Sequence, residues 1–361
     1  MKVEDIKVTP TKTSRIETMP QDPNELGFGR IFTDHMLLCD WKNRQWMNPR
    51  IIPYGDLHLS PAAVVLHYGQ EIFEGLKAYY HDDGKISLFR PYENAKRFNQ
   101  SAKRIVMPTI DEEFFVEGIK KLINLDKEWV PKSSETSLYI RPTMIGTEGA
   151  LGVRPSAEYL YFVILSPVGP YFKTGFKPAK IYVSQEYARA APGGCGDAKA
   201  GGNYAASLFV GKMAKDLGYQ QVLWLDACNR EYVEEVGAMN MFFVFGETLV
   251  TAPLKGTILP GITRESVIHL AKHKFGYRVE ERHLSIHEIT KGINDGTLTE
   301  AFGSGTAAVI TPVGELFFDN EPHQVNQDKV GKITQQLYNE LTGIQKGRIP
   351  DEYGWNLIIN E

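Results

Sequence analysis

Residues 193–208, GGCGDAKAGGNYAASL, decide how this 361-residue chain is read. Lys199 stands between Ala198 and Ala200, with glycines on both sides and Asn203, Tyr204 and a helical pattern beyond. Glycine admits positive φ and lets a backbone pass close to a ligand. A lysine in such a loop is a phosphate ligand, an imine-forming nucleophile or a solvated residue, and most lysines are solvated. A nucleotide-phosphate loop needs Gly before the lysine and Ser or Thr after it. Ala198 and Ala200 fail both positions. A lysine enclosed by a flat ligand, in contrast, becomes nucleophilic towards carbonyls.

The chain around this loop is 42% hydrophobic and 11% aromatic, with a formal charge of -4. Large apolar cores are within its reach, and nothing in the charge suggests a nucleic-acid surface. Cys39, Cys195 and Cys228 form neither a metal-ligand spacing nor a disulfide framework, which favours a reducing compartment. The opening MKVEDIKVTPTKTS lacks the apolar stretch of a signal peptide, and no apolar run reaches the length of a membrane span. The expectation is a soluble, cytoplasmic enzyme without a metal, a nucleic-acid partner or a membrane partner.

Along the chain, residues 1–25 read as an arm rich in proline. A smaller α+β domain follows over 26–168. Its strands include Pro61 to Leu66, Lys77 to Tyr80 and Ile86 to Phe89, the last two joined at Asp83-Gly84. Ala95, Phe98 and Ala102 lie at helical spacing, and Thr109 with Glu112 has capping-box spacing before a second helix. In the strand from Ser137 to Arg141, the two-residue period puts Tyr139 and Arg141 on one face. The segment PVGPYFKTGFKP marks a linker, taken as 169–180. A larger domain over 181–361 holds the lysine loop, a helix from Tyr204 to Leu217, a strand from Val236 to Phe245 and a terminal helix. Mixed strands, helices and short hairpins give α/β and α+β character without a βαβ repeat.

The sequence GSGTAA at 303–308 spells G-x-G-x-x-A, but the following VITPVGELFF reads as strand and turn. A dinucleotide fingerprint must open a helix, so these glycines serve a turn or present N–H groups to an anion. Pyridoxal phosphate needs a lysine like Lys199, a phosphate cradle, a carboxylate near the ring nitrogen and a group near the phenolic oxygen. Tyr204, Glu235 in EEVGAMN, Arg97, and the helix start Gly261-Ile262-Thr263 are candidates. Each alone has a plainer reading: a helix-surface arginine, a solvated strand end, a tyrosine at a core edge.

Together these stretches closely resemble the branched-chain amino acid aminotransferases, of the fold-type IV pyridoxal phosphate enzymes. The similarity runs through FGRIFTDHML at 28–37, FEGLKAY at 73–79, NAKRFNQSAKR at 94–104 and LYIRP at 138–142. It continues through the lysine loop, EVGAMN at 235–240, ILPGITR at 258–264, FGSGTAA at 302–308 and IQKGR at 344–348. The resemblance implies a two-domain, D-amino acid aminotransferase-like fold with the cofactor at the domain interface. It implies reversible transfer of the amino group of L-leucine, L-isoleucine or L-valine to 2-oxoglutarate. By position, Lys199 resembles the Schiff-base lysine. Tyr204 corresponds to the partner of the phenolic oxygen and Glu235 to that of the ring nitrogen. Arg97, Ile262, Thr263 and Thr306 correspond to the phosphate ligands. Phe28, Tyr68, Phe73 and Tyr171 resemble an apolar substrate cage. Arg141 and Tyr139, with Tyr68, would read the distal carboxylate of glutamate, and Thr306 with Ala307 the α-carboxylate. The loop from Leu151 to Val153 resembles one given to a partner subunit, which implies a homodimer.

There are two departures from the family pattern, at three positions. Ala308 and Thr311 stand where animal relatives carry a Cys-x-x-Cys pair, and Ala238 where many carry Thr or Ser. Other readings are another fold-type IV activity, such as a D-amino acid aminotransferase or an aminodeoxychorismate lyase, and a non-catalytic homodimer.

Overall fold

A computed structural model describes residues 2–170 and 175–359. Its contacts group into two units. Unit 1 comprises Met1–Lys173, Ala198–Gly201 and Gly343–Glu361; unit 2 comprises Thr174–Asp197 and Gly202–Thr342. A single boundary at 169–180 would give everything beyond it to one domain. The contact units are instead discontinuous in sequence, and the four-residue segment carrying Lys199 groups with unit 1. Backbone pairing explains this: Ile72 bridges to Ala200, and the Phe73 N–H donates to the Lys199 carbonyl at 3.0 Å.

Unit 1 is built on a sheet whose strands run Lys7–Val8, Gln45–Pro53, His35–Lys42, Tyr159–Val168, Ser137–Gly146, Leu76–Tyr80, Ile86–Phe89 and Asn356–Ile358, with Glu71–Phe73 pairing Ser137–Gly146. One face packs Leu37, Leu76, Ala78, Leu138, Ile140 and Val163 against Ala95, Phe98, Phe115 and Ile119. The last four come from the helices Pro91–Arg104 and Glu112–Leu125. Because successive side chains alternate, burying Leu138 and Ile140 on that face sends Tyr139 and Arg141 to the other. The second helix is capped by Asp111, whose carboxylate accepts from Phe114 N, rather than by Thr109. The apolar run at Pro61 to Leu66 is not a strand. It forms a turn and the short helix Val64–Tyr68, closed by left-handed Gly69.

Unit 2 holds a sheet that closes on itself. Its order is Val233–Val236, Gln221–Leu225, Ala179–Ser184, Val309–Phe318, Leu298–Gly305 and Met239–Phe245, and this last strand pairs back onto Val233–Val236. The ring therefore contains six strands, a barrel small enough for side chains to fill. Ile181, Val183, Leu223, Val236, Met241 and Phe243 fill it. The single strand expected from Val236 to Phe245 is in fact two, broken at Gly237 with φ +58. Thr248–Thr251 and Arg278–Glu281 extend the sheet beyond the ring.

Candidate active site

In unit 1 the tripeptide Phe73-Glu74-Gly75 lies against Lys199, Arg141, Arg97 and Tyr139. It lies where Glu71–Phe73 gives way to Leu76–Tyr80. Lys199 Nζ stands 4.8 Å from the centroid of the Phe73 ring. The Arg141 guanidinium carbon stands 4.6 Å from the same centroid. One aromatic ring thus carries two cations, each attracted by its π electrons. Arg141 Nη2 donates to the Tyr139 hydroxyl at 3.1 Å, and Tyr139 meets Phe28 edge to face at 4.8 Å. Arg141 Nε is buried without a hydrogen-bond acceptor among the described residues. A Cβ at Gly75 would overlap the Tyr139 hydroxyl, so glycine there lets the phenol lie against the backbone.

Arg97 is buried rather than on the helix surface. Its Nε and Nη2 donate to Glu74 Oε1 and Oε2 at 2.7 and 2.9 Å. Glu74 also accepts from Asn94 Nδ2 at 2.7 Å and from Gly75 N at 3.1 Å. Burial pushes the Glu74 carboxyl up, but the adjacent Arg97 guanidinium, its hydrogen bonds and Lys199 hold it below the usual carboxylate range. The Lys199 N–H donates to Ser101 Oγ at 2.9 Å, tying the lysine segment to the helix that carries Arg97.

In unit 2 the buried Glu235 is held from three sides. Oε1 accepts from Leu259 N at 2.9 Å and from Asn240 Nδ2 at 3.3 Å, while Oε2 pairs with Arg189 Nε at 2.9 Å. Arg189 Nη2 donates to the carbonyls of Gly196 and Thr257. Asn240 also donates to Leu259 O at 3.0 Å, so the strand bearing Glu235 and the 257–261 loop are laced together. Ile262 and Thr263 open the helix Ile262–His269 behind Gly261, with no side chain capping that end. The N–H groups of such a helix start suit an anion. Thr306 and Ala307 occupy the turn between Leu298–Gly305 and Val309–Phe318. Tyr204 is half-buried in the short helix Gly201–Ala205, followed by a separate helix, Leu208–Asp216, in place of one continuous helix.

Within unit 1, therefore, Lys199, Phe73, Arg141, Tyr139 and Phe28 are linked by direct contacts, with Arg97 joined through Glu74. Tyr68 is exposed, and its hydroxyl donates to the Leu151 carbonyl, tying it to the 151–153 loop. Tyr171 lies outside the described residues. Sequence reasoning missed Glu74 and Arg189. Both are single charged residues in irregular segments, with no periodicity or spacing to mark them. Among the described residues, no group of three or more His, Cys, Asp or Glu is arranged to hold a metal ion, and no helix is long and apolar enough to cross a membrane.

Comparison with known proteins gives one answer. Residues 71–316 match the family model for amino-transferase class IV. Branched-chain-amino-acid aminotransferase 2 of Bacillus subtilis is 51% identical over 355 residues, covering 98% of this chain and 96% of that protein. The branched-chain-amino-acid aminotransferase of Mycolicibacterium smegmatis is 50% identical, covering 92% of each chain. Among solved structures, the branched-chain amino acid aminotransferase of Escherichia coli superposes with a TM-score of 0.75 at 31% identity, covering 91% of this chain and 99% of that one. A second branched-chain amino acid aminotransferase, solved in complex with N-(5'-phosphopyridoxyl)-L-glutamate, gives a TM-score of 0.71 at 29% identity, covering 89% and 98%. With so much of the sequence shared across nearly its whole length, and with a two-unit mixed α/β fold to match, the chain belongs to the branched-chain-amino-acid aminotransferases, pyridoxal phosphate-dependent enzymes of fold type IV.

Proposed function

We propose that this transaminase moves the amino group of L-leucine, L-isoleucine or L-valine reversibly to 2-oxoglutarate, giving branched 2-oxo acids and L-glutamate. It does so with pyridoxal phosphate, as a cytoplasmic homodimer. The observation that carries the substrate reading is the Arg141 cluster. Such an enzyme must accept an aliphatic side chain and a γ-carboxylate in one pocket. A purely apolar wall would leave the carboxylate unpaired, at a cost of several kcal/mol. Arg141 lies against the rings of Phe73 and Tyr139, with a buried Nε that has no acceptor among the described residues. Its aromatic neighbours suit the aliphatic substrates, and that donor suits glutamate. Phe28, edge to face with Tyr139, extends the apolar wall.

The donor set fits the cofactor. A buried carboxylate supported by an arginine and a backbone N–H, as at Glu235, suits a protonated pyridine nitrogen. The backbone N–H groups at the helix start of Ile262 and Thr263 suit a phosphate. Pyridoxal phosphate, when bound, supplies a carbonyl that exchanges amino groups and a ring that accepts the electrons of the cleaved Cα–H bond. Lys199 Nζ takes the proton from the substrate Cα in one direction and returns it in the other. Glu235 keeps the proton on the ring nitrogen. Tyr204 orients the phenolic oxygen. Arg97, the backbone of Ile262 and Thr263, and Thr306 hold the phosphate. Thr306 and Ala307 receive the substrate's α-carboxylate. Leu151 and Val153 are 65% and 86% exposed, unusual for apolar side chains, which supports their being covered by a second copy of the chain near Tyr68.

The test is Arg141→Ala assayed with both substrates. The kcat/KM for glutamate falls about 100-fold more than that for leucine, consistent with loss of a charged hydrogen-bond partner. Equal losses would remove the proposed role.

A further inference from the structure

Glu74 does not belong to the set of residues assigned above, yet no side chain in unit 1 is more completely enclosed: its exposure is 0%. Its two oxygens take four hydrogen bonds, from Arg97 Nε, Arg97 Nη2, Asn94 Nδ2 and Gly75 N. Asn94 and Arg97 are three residues apart on one helix, so both meet the carboxylate from the same side. The strand residue Gly75 meets it from its own backbone. The carboxylate is itself immobilised, and it grips the guanidinium along the Nε edge. A guanidinium is planar and rigid, so fixing one edge fixes the direction of the opposite, Nη1 edge.

A buried ion pair gains little over apolar side chains of the same volume, because both charges lose their water. Stability alone therefore does not account for this arrangement. We infer that Glu74 is a positioning residue for Arg97, setting the guanidinium's orientation for a phosphate ester through its bidentate grip. The inference rests on the reading of Arg97 as a phosphate ligand. Orientation and charge act in opposite directions here. The carboxylate lowers the net positive charge offered to a phosphate, so its removal strengthens long-range attraction. It also fixes the orientation of a side chain with several rotatable bonds. The inference holds that orientation dominates.

The experiment uses the full-length apoprotein and two ligands that differ only in the anion, pyridoxal phosphate and pyridoxal. Their dissociation constants are measured by quenching of tryptophan fluorescence. Glu74→Gln weakens pyridoxal phosphate about tenfold or more, as loss of a charge-assisted bidentate pair predicts, and leaves pyridoxal within about twofold. Equal weakening of both ligands would reduce Glu74 to a fold-maintaining role and overturn the inference. Unchanged or tighter pyridoxal phosphate binding would overturn it too, since charge would then outweigh orientation. Arg97→Gln separates this from the underlying reading: if that variant leaves the ratio of the two affinities unchanged, Arg97 is not a phosphate ligand and both fall. Should Glu74→Gln fail to fold, Asn94→Ser removes one support from the carboxylate. The same phosphate-specific loss then appears at about threefold, and equal loss for both ligands overturns the inference. Glu74→Asp, which keeps the charge on a shorter stem, recovers part of the ratio only if it regains the grip on Nε.

Discussion

In unit 1 a buried glutamate supports an arginine; in unit 2 a buried arginine supports a glutamate. Glu74 grips Arg97, and the arginine is the member proposed to meet the cofactor. Arg189 pairs with Glu235, and the carboxylate is the member proposed to meet it. The scaffolds differ as well. The first pair joins a strand end to a helix of an open, layered unit. The second joins a loop to a strand of a closed ring. In both, the supporting member also bonds to backbone or amide groups: Glu74 accepts from Gly75 N and Asn94, and Arg189 Nη2 donates to the carbonyls of Gly196 and Thr257. A charge meant for a ligand is therefore aimed by a partner that is itself pinned.

The largest effect belongs to Lys199→Ala. Its kcat for leucine with 2-oxoglutarate drops about 10,000-fold, the upper range for removing an acid–base group, while thermal melting of the apoprotein barely moves. A large fall in melting temperature would instead make Lys199 part of the structural charge balance around Glu74.

Next comes Glu235→Ala. It leaves Arg189 buried without its counter-charge and costs about 3–5 kcal/mol in denaturant unfolding, together with about 100-fold in kcat. Adding Arg189→Met restores much of the stability and none of the rate. Recovery of the rate in the double variant would break the assignment of Glu235 as the functional member.

Gly75→Ala sharpens the comparison within unit 1. Its methyl group displaces the Tyr139 hydroxyl, to which Arg141 donates, and kcat/KM for glutamate falls about tenfold with leucine nearly unaffected. An equal loss for leucine would mean that the phenol shapes the apolar wall instead.

The smallest effect separates two carboxylates by pH. Glu74 is held below the usual carboxylate range. Its contribution to stability is complete above that range and is lost as pH falls through the folded value. Glu234, next to Glu235, goes the other way. Burial raises it, despite the 2.5 Å hydrogen bond from Thr257 Oγ1, and its Oε2 has no hydrogen-bond partner among the described residues. A carboxyl with a raised folded value stabilises the fold when protonated and loses that contribution as pH rises. Glu234→Gln therefore raises Tm by about 2 °C at pH 7, and the gain disappears at pH 4. The reverse trend would place the ionised form of Glu234 among the stabilising charges.

Much of unit 1's candidate chemistry is legible in the sequence, because strand alternation fixes what stands beside what. Tyr139 and Arg141 share a face for that reason, and the hairpin at Asp83-Gly84 follows from its turn residues. The lysine loop is legible through its glycines. Pro61 to Leu66 misleads because a short apolar run has no period of its own, and a left-handed Gly69 closes a helix there. Closure of the ring in unit 2 is illegible for a different reason. Val236 and Met239 flank Gly237-Ala238 in what reads as one apolar run, and only the pairing of distant strands turns that run into a hairpin. Arg189 and Glu74 show the limit most plainly. A charge's meaning depends on what is buried against it, and no local pattern records that.

The strand Asn356–Ile358 lies at the border of unit 1's sheet, hydrogen-bonded to Ile86–Phe89. A ribosome makes its partner some 270 residues earlier. Until the carboxy-terminal segment emerges, Ile86–Phe89 offers a row of unsatisfied amide and carbonyl groups to any passing extended peptide. The nascent polypeptide thus carries an adhesive border until Asn356–Ile358 is made. That late-arriving strand closes the border.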